Sequence, residues 1–378
     1  MMLAAGAALA GGPVSLRARR AVVAVRACFV GDCASMPVHW LYDDAALREA
    51  LQGQLEAPEC FSRPSCPYYD CKRHPGHYAL GQPSPYGEEA LALADCLEQG
   101  GLELPGPDAW AQSLYAWSKQ YGGRKNACTR LFEHNMDTLV AEGVASVFPR
   151  CGALDSEANA LWKVPLLCAR YAAAPPDLLR DKVRVAVRVH QNTDVSEQFA
   201  QALARMLRAA LHGAELAAAV DAARADAPPA VKDALDLAAR GAIASAAPDA
   251  AGHAALHDYL AALAEHLFAA RPGLQPESKP FLAKSCALPA SFILAVKIVL
   301  DTDVMLKAHG AHFDALTWAL RRNIMAGGDQ CGRVALVAAL VATATNKDVP
   351  LHWQDKTSAA LLKRIDKLAH GLAAKGKL

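Results

Sequence analysis

The densest chemistry in this chain lies in two glycine-containing turns. The later one runs Asn323-Ile324-Met325-Ala326-Gly327-Gly328-Asp329-Gln330-Cys331-Gly332-Arg333. Its paired glycines permit backbone conformations that other residues avoid. An acid, an amide, a thiol and an arginine follow, ahead of the apolar run Val334–Ala344. An acid in that position can simply cap a helix N-terminus, where the macrodipole favours it. The earlier turn, Gly31-Asp32-Cys33-Ala34-Ser35-Met36-Pro37-Val38-His39-Trp40, is a run of small residues closed by Pro37. Between the two lies Ser84-Pro85-Tyr86-Gly87-Glu88-Glu89. Adjacent carboxylates opening a helix can be a solvated first turn, metal ligands or a general base. A fourth polar segment, His190-Gln191-Asn192-Thr193-Asp194, joins two apolar stretches, and Thr193 or Asp194 can cap the second of them. Cys60, Cys66, Cys71, His74 and His77 are spaced C-x5-C-x4-C-x2-H-x2-H. That is looser than the paired spacing of zinc sites, so these read as ordinary loop residues.

Helices must position these groups. Alanine is abundant and aromatic residues make up 6% of the 378 residues, a composition that favours helix over strand. Phe313, Leu316, Leu320 and Ile324 fall on one helical face. The spacing predicts helices over 20–31 (ending near Gly31), 44–55, 88–98, 108–121, 126–143, 155–173, 178–190, 194–211 and 214–224. Further helices are expected over 228–245, 251–270, 285–300, 313–325, 332–345 and 355–374. Residues 56–87, with Pro58, Pro64, Pro67, Pro75, Pro83 and Pro85, read as one long irregular loop, a kind of segment that is often functional. No glycine- and serine-rich linker divides the chain. Residues 1–18 are expected to be a disordered leader or a short transit segment, and 19–378 a single all-helical domain.

A net charge of +1 argues against a dedicated nucleic-acid surface. No apolar stretch of about 18 residues lacks charge, so no membrane span is expected. Eleven cysteines, an odd number without a secretory signal, read as reduced thiols of an intracellular protein. The cytoplasm is the first expectation. Arg17, Arg19, Arg20 and Arg26, with no acid before Asp32, keep a plastid or mitochondrion open.

In order and type, the four segments resemble the ADP-ribosylglycohydrolase family. That family carries a Gly-Asp-Ala-(x)3-Pro-x-Glu turn, a Thr-Asp-Asp-Thr helix start, a Thr-His junction and a late Gly-Gly-Asp-x-Asp-Thr motif. Pro37–Asp43 and Ser84–Glu88 look like its J-crystallin and selenoprotein J branch, and the resemblance spans about residues 20–345. It implies an all-α, orthogonal multi-helix bundle with a central cleft. In active members two magnesium ions there orient a ribose and activate water at its anomeric carbon. The implied ligand is ADP-ribose-like or an ADP-ribosylated substrate, and the implied reaction is hydrolysis of an N- or O-glycosidic bond.

The motifs depart from that pattern. His39 replaces the first-turn Glu, Gly87-Glu88-Glu89-Ala90 replaces Thr-Asp-Asp-Thr, and Cys331 and Gly332 replace the late Asp and Thr. A thiol is a poor magnesium ligand. The resemblance therefore implies a degenerate site, with Glu88, Glu89 and Asp329 as residual metal ligands and magnesium a doubtful cofactor. His39, Glu88, Glu89 and Cys331 are the implied catalytic groups. Trp40, Tyr86, His190, Gly327, Gly328 and Arg333 are the implied substrate contacts. Trp40 and Tyr42 are placed to stack on a base, and Arg333 to hold phosphate or to replace a lost cation by pairing with Glu88 or Glu89. Two alternatives stand beside the hydrolase: a crystallin-like structural or ligand-binding protein, and a thiol enzyme using Cys331 activated by His39 or His190. The selenoproteins of the related branch prompt the latter.

Overall fold

Runs that are apolar on every face can be helical only if they are buried all round, and two such helices form the centre of this protein. The computed structural model describes residues 15–240 and 250–376 apart from positions 63, 66–68, 70–73 and 75. Among these residues are eighteen α-helices and no strand. They are α1 (Leu16–Ser35), α2 (Asp44–Ala50), α3 (Pro85–Gln99), α4 (Pro107–Gln120), α5 (Ala127–Ala141) and α6 (Asn159–Trp162). Next come α7 (Val164–Tyr171), α8 (Pro176–His190), α9 (Asp194–Leu211), α10 (Leu216–Ala222), α11 (Pro229–Ala239) and α12 (Ala250–Ala269). The last are α13 (Lys279–Leu282), α14 (Ala290–His309), α15 (Ala315–Met325), α16 (Gln330–Thr345), α17 (Leu351–Gln354) and α18 (Ala359–Lys375).

Helix α16 is buried from Gln330 to Thr343 and lies among α1, α9, α14 and α15. Helix α1 packs along it and is covered in turn by α7 and α18. The helix from Leu16 to Val38 has the length and mean hydropathy, 1.5, to cross a membrane, yet 94% of that window is buried inside the protein. It is the core helix of a helical body. It begins at Leu16, so the expected leader is too long by its last residues, and residues 1–14 lie outside the described ones. It also passes through Gly31, where it was expected to end. A Cβ at Gly31 would meet Leu320 Cδ2 at 3.0 Å, so this glycine serves close packing against α15 rather than helix termination.

The 155–173 segment is two short helices, α6 and α7, rather than one, with Pro165 near the start of the second. Helix α3 begins three residues earlier than expected, with Ser84 as its N-cap and Pro85 in its first turn. These two junctions, with the N-terminus of α16 and the turn after α1, bring the four polar segments together.

Candidate active site

The site is built where α3 meets α1. Ser84 donates from both its backbone N–H and its hydroxyl to the Asp32 carboxylate, each at 2.7 Å. A Cβ at Gly87 would stand 2.4 Å from Asp32 Oδ2 and 2.8 Å from Pro83 Cβ, so only glycine fits under this acid. Burial pushes the Asp32 carboxyl up to about 7, against the lowering effect of the Ser84 bonds.

The Gly327-Gly328 turn has φ of +70° and +66°. Trp40 N–H donates to Gly328 O at 2.9 Å, and Gly328 N–H donates to Leu41 O at 2.8 Å. A Cβ at Gly328 would be 2.5 Å from Lys284 O. Both glycines therefore serve backbone docking between the two turns. Trp40 itself has φ of +63°, a costly conformation for a bulky residue and one that recurs at functional sites.

Asp329 stands at the N-cap position of α16 but makes no capping bond to that helix. Its Oδ1 accepts the Tyr86 hydroxyl at 2.9 Å and lies 3.5 Å from His39 Nε2, and the Trp40 side chain also donates to the carboxylate. Its Oδ2 is buried without a hydrogen bond, in space that a Cβ at Gly332 would close at 1.9 Å. Burial raises the carboxyl to about 6, with the Arg333 charge pulling the other way. His39 Nδ1 accepts the Cys331 N–H at 3.3 Å, so the proton of the neutral ring sits on Nε2, facing Asp329. Burial, then Arg333 and Arg124, hold His39 well below its ordinary value. The Tyr86 phenol is pushed well up by burial and by Asp329.

Arg333 is fully buried and donates to Asn323 Oδ1 at 2.8 Å, Asn323 O at 3.3 Å and Gly327 O at 2.7 Å. The expected pairing with Glu88 or Glu89 is not formed. The guanidinium instead braces the glycine turn. Trp40 is stacked on Tyr69 at 5.4 Å and carries the Arg124 guanidinium 4.1 Å from its ring, so its faces are already covered. Tyr42 meets Phe281 edge-on at 5.8 Å.

Glu88 and Glu89 diverge, because neighbouring residues on a helix point about 100° apart. Glu88 pairs with His77 Nε2 at 2.7 Å and accepts the Tyr121 hydroxyl. Glu89 turns inward. Its Oε1 faces Lys163 Nζ at 3.0 Å and His190 Nδ1 at 3.1 Å, and its Oε2 accepts Asn159 Nδ2 at 2.8 Å and Thr129 Oγ1 at 2.9 Å. The Lys163 ammonium donates to Glu89 and to Asn159 O at 3.1 Å, and lies 3.1 Å from His190 Nδ1. His190 Nε2 lies 3.3 Å from Thr129 Oγ1, and Thr129 donates to Glu89. Burial would raise the Glu89 carboxyl, but His190 and Lys163 more than reverse this and hold it far below the usual range. Burial lowers His190, against the raising effect of Glu89.

The three acids expected to hold magnesium thus do not converge. Glu88 faces His77, Asp329 faces Tyr86, and the cation beside Glu89 is Lys163. The donor set does not fit a magnesium centre.

Lys163, Asn159 and Thr129 were missed in the sequence. A lone lysine inside the apolar run Leu161–Leu167 was the available signal, since a buried ammonium needs a partner. Asp155, Glu157 and Cys128 were missed as well. Of the loose cysteine and histidine group, Cys60 contacts Ser62, His74 contacts Gly122 O and His77 contacts Glu88, while Cys66 and Cys71 lie outside the described residues.

Cys331 lies beside Asp32 O at 3.8 Å and is fully buried; burial, then the Asp32 charge, raise its thiol well above the ordinary value. This opposes the thiolate the thiol-enzyme alternative needs. In the native protein at pH 7, Cys331 should stay unlabelled by iodoacetamide while half-buried Cys60 reacts, and peptide mapping reads this directly. Labelling of Cys331 as fast as Cys60 would restore the thiol reading.

No curated protein matches the chain. A solved structure described as an ADP-ribosylglycohydrolase-related protein complex matches with a TM-score of 0.60 over 95% of this chain and 99% of that one, at 18% identity, which establishes a shared fold. The family model for ADP-ribosylglycohydrolase matches residues 13–377. The all-helical architecture, the clustered polar segments and a family match over nearly the whole length agree: this chain belongs to the ADP-ribosylglycohydrolase family.

Proposed function

We propose that the chain hydrolyses an ADP-ribosyl or related N- or O-glycosidic bond with Asp329 as the water-activating base and without a magnesium pair. The observation that carries this reading is Asp329 itself. It is the acid of the late family motif that this sequence retains, one oxygen is fixed by Tyr86, and the other is buried without a hydrogen bond. A carboxylate so held accepts a proton from water as the oxygen adds to the anomeric carbon. The departing nitrogen or oxygen leaves with the bonding pair and is protonated by solvent. His39, neutral and backed by the Cys331 amide, positions Asp329, as does Trp40.

One observation favours the alternative of a non-catalytic binding or structural protein: His39, Asp329 and Arg333 are fully buried and Tyr86 nearly so.

Thermal denaturation with ADP-ribose, with and without magnesium, separates these readings. We expect a magnesium-independent rise in midpoint, equivalent to about 2.7 kcal/mol at a ligand concentration 100 times the Kd. Absence of any shift, together with no release of ADP-ribose from N- or O-linked conjugates, would favour the structural alternative.

A further inference from the structure

Beside the Glu89–His190 network lies a second group of ligand-type atoms that the proposed reaction does not use. The Cys128 thiol and one carboxylate oxygen each of Asp155 and Glu157 lie within 4.8 Å of one another. Cys286 Sγ is 3.6 Å from Glu157 Oε1. The four side chains come from three segments, two of which the backbone ties together. Ala158 N–H donates to Cys286 O at 2.9 Å, Leu288 N–H donates to Ser156 O at 2.8 Å, and Cys128 follows the N-cap of α5. Asp155 is oriented through Oδ1, which accepts Glu157 N–H at 2.8 Å and Gln191 Nε2 at 3.3 Å; Oδ2 takes part in neither bond. Glu157 Oε2 is buried without a hydrogen bond.

The nearby ammonium of Lys163 is already engaged by Glu89, Asn159 and His190. The same engagement closes the neighbouring Glu89–Cys128–His190 group to an ion, since Lys163 Nζ stands 3.0 Å from one of its members and 3.1 Å from another. Asp155, Glu157 and Cys286 are only half-buried, so an ion has a path to them.

We propose that Cys128, Asp155 and Glu157, with Cys286 as a fourth donor, bind a thiophilic divalent cation of the zinc class. Thiolate donors select such an ion over magnesium, and four mixed sulfur and oxygen donors suit its tetrahedral preference. Binding deprotonates the thiols and releases those protons to solvent, with no change of oxidation state. The site is independent of the role given to Asp329, so failure of either reading leaves the other standing.

Chelator-treated full-length protein titrated with cobalt(II) tests it, with zinc as competitor. The expected result is a near-ultraviolet sulfur-to-cobalt band and tetrahedral visible bands saturating at one ion per chain, both abolished by zinc. The band should weaken in Cys128→Ser and in Cys286→Ser and vanish when both are replaced. Should Cys128→Ser fail to fold, Glu157→Gln serves instead, with apparent affinity reduced about tenfold or more. Absence of a band at millimolar cobalt, or a band unchanged in folded Cys128→Ser or in Glu157→Gln, overturns the proposal.

Discussion

Replacing Lys163 with methionine should lower the stability of the fold by roughly 3–5 kcal/mol, because it strands a buried carboxylate without its cation. Glu89 is 4% exposed and Lys163 2%, so solvent cannot substitute for the lost partner. Urea denaturation at constant m-value measures the change. The double variant Glu89→Gln, Lys163→Met should recover much of it, since the unpaired charge is then gone. The pH dependence has a definite sign. In the wild type the folded Glu89 carboxyl is depressed, so its contribution is fully present above the unfolded value of about 4.3 and is lost only as pH falls towards the folded one. In Lys163→Met, burial acts without the ammonium and raises that carboxyl, so the deficit should be largest at pH 7–8 and shrink in acid. A loss under about 1 kcal/mol at pH 7 would mean that the pair is not the strong internal contact described above.

Asp329→Asn should cut the rate of glycosidic hydrolysis by about 10²–10⁴-fold, the usual worth of a positioned general base. The substitution keeps the shape and can still accept the Tyr86 hydroxyl, so the melting midpoint should barely move. In the wild type the carboxyl is raised to about 6. A base must be ionised, so the wild-type rate should fall as pH drops through about 6 and level off above it. Single-turnover release of ADP-ribose across pH 4.5–8.5 gives both results. Activity of Asp329→Asn within threefold of wild type, or a wild-type profile flat through pH 6, would remove Asp329 from the chemistry.

Much of the architecture was legible because burial leaves a direct trace in the residues. The run behind Asp329 is apolar on every face, and it became the wholly buried α16. The 194–211 helix has the bounds its cap and periodicity suggested, with Thr193 accepting from Ser196 N–H at 3.1 Å. Gly31 misled, because a glycine kept for close approach looks the same in sequence as one that ends a helix. The site was legible in its parts more than in its wiring. Adjacent Glu88 and Glu89 looked like a pair, although helix geometry alone turns them about 100° apart. Arg333 stands four residues after Asp329, yet its guanidinium answers to carbonyls of the preceding turn. The Glu89–Lys163 contact joins residues 74 positions apart, and local spacing carries no record of such a meeting.

The two glycines under the acids also constrain the order in which this sequence can change. The family motifs carry threonine where Gly87 and Gly332 stand. A threonine at either place would drive its first side-chain carbon into Asp32 or Asp329. Asp32 is fastened by Ser84 and Asp329 by Tyr86, so neither acid turns aside without breaking a buried bond. Gly87→Thr or Gly332→Thr introduced alone should therefore be deleterious, and each becomes tolerable only after the acid or its holder has already been replaced. The family's threonines are thus reachable from this chain only through a compound change, in which the acid or its holder is replaced first.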